Sequence, residues 1–259
     1  MNFLFRTTLI GLLFGTFGTT IGGIIGVSIK NTSNKFLSFV LSFASGLMLA
    51  VVCFDLIPES MGFGSILNTI VGIIFGVFCM IICDVIVDKK FNGNIKMLNV
   101  GGAPLGDLLY KKNLLKTGII VAIGLAIHNI PEGLAIGSSF DASIRLGYSL
   151  ALAICLHDIP EGISMGVPMK NGGMKKYKVM FYIIMSGIAT GIGALFGALI
   201  GEISDTIISL SLAFAGGAML YIVSGELIPE ANSLYKGRLT SLGNILGFIL
   251  GILLQFTVD

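Results

Sequence analysis

The chain has 259 residues, 54% of them hydrophobic and only 12% charged, with 36 Gly and a net charge of +2. Mean hydropathy is +0.96. A soluble domain carries about 25% charged residues, so this composition excludes a soluble enzyme, a disordered chain and a nucleic-acid binder and leaves a polytopic membrane protein.

A helix that crosses the hydrocarbon core needs about 20 mostly apolar residues. Eight such runs follow in order: 7–29, 36–58, 64–87, 117–138, 144–167, 179–200, 206–228 and 239–258. They are too long for barrel strands and lack strict alternation, which predicts an all-α fold of eight transmembrane helices in a single domain, 1–259. Run one follows Arg6 and precedes Lys30 and Lys35 without a clear cleavage site, so it reads as a span rather than a signal peptide. Run two ends on Asp55-Leu56-Ile57-Pro58-Glu59. Run three holds Cys79 and Cys83, which, like Cys53 and Cys155, read as small packing residues.

Between runs three and four, residues 88–116 hold six Lys with Gly93, Gly101, Gly102 and Pro104, which predicts a soluble loop. Of the sixteen Lys and Arg residues, fourteen fall in 30–35, 88–116, 168–178 and 229–238, leaving Arg6 and Arg145 on the other side. By the positive-inside rule the long loop faces the cytoplasm and both termini face outward.

The chain repeats itself. Ala44-Ser45-Gly46-Leu47-Met48-Leu49 and Asp55-Leu56-Ile57-Pro58-Glu59 return 171 residues later as Ala215-Gly216-Gly217-Ala218-Met219-Leu220 and Glu226-Leu227-Ile228-Pro229-Glu230. Runs two and seven cross in opposite directions, so helices 1–3 and 6–8 are predicted to form inverted repeats, a device of secondary transporters. Asp55, Glu59, Glu226 and Glu230 read either as an entrance and exit path for cations or as polar helix ends that fix interface depth.

Runs four and five form a central antiparallel pair. One reads His128-Asn129-Ile130-Pro131-Glu132-Gly133, the other His157-Asp158-Ile159-Pro160-Glu161-Gly162. A spacing of four puts His128 with Glu132, and His157 with Glu161, on one helix face, about 6 Å apart along the axis. Pro131 and Pro160 lack an N–H and free the carbonyls of Ile127 and Leu156. Buried carboxylates need a partner, and neither motif contains Lys or Arg, so a cation fits Glu132, Asp158 and Glu161. The chain has two His, and both lie here. Imidazole with carboxylate suits Zn, Fe, Mn, Co or Ni better than Ca or Mg.

The paired hexapeptides, eight runs and a long loop after run three resemble the ZIP (Zrt/Irt-like, zinc–iron permease) metal transporters, most of all their GufA-like bacterial branch. That resemblance spans essentially the whole chain. It implies uptake of zinc and related divalent metals, Cd among them, across a bacterial cytoplasmic membrane, without a resident cofactor. It further implies a homodimer and an elevator-like motion, with spans one, four, five and six carrying the metal and spans two, three, seven and eight as scaffold. One family metal site matches His128, Glu132, His157, Asp158 and Glu161. A second matches Asn129, Asp158 and Glu161, but Thr190 stands where relatives place a Glu and Gly191 where they place a Pro. The second site therefore loses a charge, and one principal metal per protomer is expected. Loop 88–116 lacks the His-rich stretch of many eukaryotic relatives. Competing readings of the same residues are an intramembrane zinc-dependent hydrolase, which would need a motif such as HExxH that the chain lacks, and a channel. Direction of transport is not encoded in the binding residues.

Overall fold

A segment apolar on every side can satisfy its backbone in lipid only as a helix. The computed structural model, which describes residues 3–29, 33–92, 105–201 and 204–257, has no strand among those residues. Its helices are α1 (Phe3–Ser28), α2 (Asn34–Val51), α3 (Ile57–Phe63), α4 (Ile66–Asn92), α5 (Leu105–Ala142), α6 (Ile144–Asn171), α7 (Lys176–Gly201), α8 (Asp205–Ile222), α9 (Ile228–Leu234) and α10 (Arg238–Thr257). Six stretches among the described residues are long and apolar enough to cross a membrane: Phe3–Ser28, Asn34–Phe63, Ile66–Cys83, Ile144–Asn171, Lys176–Ile200 and Asp205–Leu234. Arg238–Leu254 is a shorter apolar helix.

The expected loop 88–116 is too wide. Helix α4 continues to Asn92 and α5 starts at Leu105. The flanks 88–92 and 105–116 are rich in Lys and Leu, which are good helix formers. The strongest breakers, Gly101, Gly102 and Pro104, fall in 93–104, outside the described residues.

The repeat seen in sequence returns in the element bounds. Each of α2 and α8 is followed by a five-residue π turn, Val52–Leu56 and Val223–Leu227, and then by a short helix, α3 or α9. All six bounds match at an offset of 171. So do the caps: the Ser33 hydroxyl accepts from Phe36 N, and that of Ser204 from Ile207 N. Pro58 and Pro229 explain the π turns. Neither can donate to the carbonyl four residues back, and the wider turn lets Ile57 N reach Val52 O and Ile228 N reach Val223 O.

Long-range hydrogen bonds fix how these segments lie. Ser38 Oγ, near the start of α2, donates to Ala231 O in α9 at 2.8 Å. Ser60 Oγ, in α3, donates to Ser209 O near the start of α8 at 2.9 Å. Each segment begins beside the other's end, so Asn34–Phe63 and Asp205–Leu234 run antiparallel.

The helices pack in two sets. In one, α1, α5, α6 and α7 touch through small residues. Helix α5 runs parallel to α7, with Gly133 against Thr190 and Gly137 against Ala194; α1 runs parallel to α6, with Gly18 against Cys155 and Gly22 against Ile159. In the other set α2 pairs with α10, and α4 with α8. Helix α6 is the most enclosed, with 83% of its apolar stretch buried against 22% for α4. Apolar side chains from α2, α5, α6 and α8 join around the two π turns in the largest core cluster, and the sets meet there.

Candidate metal site

The two hexapeptides lie on α5 and α6, which continue through Pro131 and Pro160. These helices are antiparallel and face each other in register, His128 opposite Glu161 and Glu132 opposite His157. His157 Nε2 donates to Glu132 Oε1 at 2.7 Å. His128 Nε2 lies 2.8 Å from the same oxygen and 3.3 Å from Glu161 Oε1. Glu132 Oε1 is thus the point on which both imidazoles converge.

One donor atom from each of His128, Glu132, His157 and Glu161 lies within 4.8 Å of every other. A tetrahedral zinc ion with bonds of about 2.0–2.1 Å sets its ligands about 3.3 Å apart. The close separations, 2.7, 2.8 and 3.3 Å, fall at or just below that value, so small side-chain rotations would seat an ion. All four residues are at most 2% exposed. Among the described residues, both Glu161 carboxylate oxygens and Glu132 Oε2 have no hydrogen-bond partner. Buried polar atoms of this kind cost about 1–3 kcal/mol each when left unmatched, which fits a donor set built for a cation.

Asp158 is fully buried beside this group, with Oδ1 3.4 Å from His157 Nε2. Its oxygens have no hydrogen-bond partner among the described residues, and Gly18 of α1 packs over it. Asn129 is also buried. Its Nδ2 donates to Ser186 O at 3.0 Å and Ser186 Oγ at 3.2 Å on α7, which leaves Oδ1 unpartnered. Thr190, one turn beyond Ser186, is 0% exposed with its hydroxyl unpartnered, against Gly15.

The sequence-derived candidates thus separate. His128, Glu132, His157 and Glu161 come together, Asp158 adjoins them, and Asn129 and Thr190 line the α5–α7 side. Asp55, Glu59, Glu226 and Glu230 are not part of the cluster. Asp55 is buried in the first π turn, Glu226 is exposed in the second, and Glu59 and Glu230 are half-buried. Sequence reasoning missed Ser186 as the anchor of Asn129. The signal was faint: a lone Ser in an apolar run, 57 residues from its partner.

Comparison with known proteins agrees with this chemistry. Residues 107–259 match the ZIP zinc transporter family. The chain is 38% identical to the zinc transporter GufA of Myxococcus xanthus over 143 residues, 55% of this chain and 56% of that one. It is 39% identical to the zinc transporter ZIP11 of Homo sapiens over 137 residues, 50% of this chain and 40% of that one. The match therefore spans about half the length of these relatives. Against the zinc transporter ZupT of Campylobacter jejuni it is 32% identical over 278 residues, 95% of this chain and 96% of that one. By family match, full-length similarity and its paired His/Glu motifs, the chain belongs to the ZIP zinc transporter family.

Proposed function

We propose that this protein carries divalent transition-metal cations, zinc foremost, through a bacterial cytoplasmic membrane into the cell. The observation that carries this reading is the enclosed group of His128, Glu132, His157 and Glu161, whose donor atoms converge within 4.8 Å. Asp158 assists as a further carboxylate. Imidazole and carboxylate strip water from the ion where lipid would otherwise forbid its charge. Such donors also accept Fe, Mn, Co, Ni and Cd.

The arrangement of the rest supports a carrier. The chain crosses eight times, as inverted repeats around the α5–α6 pair, with both termini outside. Support comes from the antiparallel Asn34–Phe63 and Asp205–Leu234 segments and from the split of lysines between connections. All site residues lie on the set α1, α5, α6 and α7, which moves as a unit against the other set within a homodimer. Asp55 and Glu59 on one side, and Glu226 and Glu230 on the other, serve as entrance and exit stations. With Thr190 in place of an acid, the site takes one principal ion, and Asn129 contributes little to affinity.

Zinc flux into proteoliposomes should saturate and be competed by Cd, Co and Ni. A cysteine pair at Leu134 and Phe214, which line one cavity at the seam between the two sets, should stop flux when joined by a reducible bifunctional thiol reagent and restore it on reduction, with the four native Cys replaced. Linear flux that survives the cross-link would mean a pore. Metal content after dialysis should be one ion per chain, and Thr190→Glu should raise it toward two; two ions in the wild type would refute the single-site reading.

A further inference from the structure

The repeat offers an internal control on which polar residues the fold requires. Between α2, α9 and α10 lies a cavity of about 260 Å³ lined by Ser42, Ser45, Asn232, Thr240, Ser241 and Asn244, with two isoleucines. The equivalent positions of the other repeat are Met61, Thr69, Ile70, Ile73, Ala213 and Gly216. The helix crossings are equivalent. Gly46 packs on the Asn244 carbonyl where Gly217 packs on that of Ile73. Thr69 matches Thr240, but the other five positions carry no hydrogen-bonding side chain, so the fold does not demand polar groups at 42, 45, 232, 241 and 244.

Helix-to-helix hydrogen bonds account for part of it. Asn244 Nδ2 donates to Ser45 Oγ at 2.8 Å, and Ser45 Oγ to Ser42 O at 2.8 Å. The Ser42 hydroxyl stays unexplained: the residue is 2% exposed and its Oγ has no partner among the described residues. A buried hydroxyl in that condition is unfavourable unless something in the cavity meets it. No charged side chain lines the cavity, so its floor suits a neutral, hydroxyl-bearing group.

Among the described residues, three cations and the half-buried carboxylate of Glu230 lie at this end of α2, α9 and α10. Lys35 Nζ sits 5.2 Å from the centroid of the Tyr235 ring, and the Tyr235 carbonyl accepts from Thr240 Oγ1 at 2.9 Å. Lys236 and Arg238 are exposed at the same end. A neutral polar pocket with an excess of cations at the same end of the helices complements a glycerol headgroup on a phosphodiester. We propose that this pocket binds the headgroup of an anionic glycerol-phospholipid, its hydroxyls on Ser42 and Asn244 and its phosphate toward Lys35 and Arg238. The pocket lies away from the His/carboxylate cluster, and lipid retention is read without a metal-transport assay.

The test is native mass spectrometry of the full-length protein in mild detergent, with phosphatidylglycerol and phosphatidylcholine supplied at equal mole fraction, together with thermal unfolding. Phosphatidylglycerol should be retained in preference. Ser42→Ala should reduce that retention about five-fold, the size of one lost neutral hydrogen bond, and Asn244→Ala should do likewise. Equal retention of the two lipids, or undiminished retention by Ser42→Ala, would overturn the proposal. So would a Ser42→Ala protein that is simply more stable with either lipid, the outcome for a hydroxyl without a ligand. Protection by free glycerol equal to that by phosphatidylglycerol would overturn the assignment to a lipid.

Discussion

Glu132→Gln should reduce zinc affinity about 100-fold or more and abolish uptake while leaving the protein in the membrane. Loss of a group that merely orients a ligand costs about 10- to 100-fold in metal affinity, and Glu132 does more than orient. Its Oε1 is the oxygen that both imidazoles approach, at 2.8 and 2.7 Å. The amide keeps the volume and one acceptor oxygen but removes the charge at the centre of the group. His157→Ala should follow it closely. Asp158→Asn should fall less, about ten-fold, because Asp158 adjoins the four converging groups and is not one of them. Chelator competition for affinity and radiolabelled zinc uptake at matched protein amounts would measure both effects. Normal uptake by Glu132→Gln, or an equal loss in Asp158→Asn, would contradict this ordering.

The grouping of His128, Glu132, His157 and Glu161 was legible in the sequence because its spacing is local. A spacing of four fixes His and Glu on one helix face whatever the tertiary structure, and two copies on antiparallel helices leave few ways to meet. Which carboxylate would be central was not legible. Glu132 and Glu161 are equivalent by motif, and only the docking of α5 on α6 makes Glu132 the shared one. Ser186 escaped notice because a contact 57 residues away depends on the parallel register of α5 and α7. The ends of the soluble stretch were misjudged for another reason. Lysine marks where a chain leaves the lipid but does not end a helix, so α4 and α5 run on past the apolar runs. The two π turns were half visible: the prolines at 58 and 229 announce a missing donor, but not whether a kink or a wider turn absorbs it. The repeat also hid an asymmetry. Asp55 and Glu226 match by position, yet one is buried and the other exposed.

Gly133→Ala should destabilise the protein by about 3 kcal/mol, the upper range for overpacking a tight core, and weaken zinc binding with it. A Cβ at position 133 would strike the Thr190 carbonyl oxygen and come within 2.7 Å of its carbon and 2.8 Å of Ala194 N. These are backbone atoms of α7 and cannot rotate away, so α5 and α7 would have to separate. Small residues at such crossings are what allow helices in lipid to approach and gain packing energy. The adjacent residue is Glu132, so any retreat of α5 here also shifts the carboxylate on which both imidazoles converge. Stability and metal affinity should therefore fall together. Gly124→Ala supplies the contrast within the same helix. Among the described residues no atom beyond the local helix backbone lies within 4 Å of a Cβ built there, and Ala is the better helix former by up to about 1 kcal/mol, so that variant should be neutral or slightly stabilised with unchanged zinc affinity. Thermal midpoints in detergent and chelator competition would read both variants. A Gly133→Ala protein as stable as the wild type would mean that α5 and α7 are not locked against each other, and the close pairing that holds Glu132 in place would have to be abandoned.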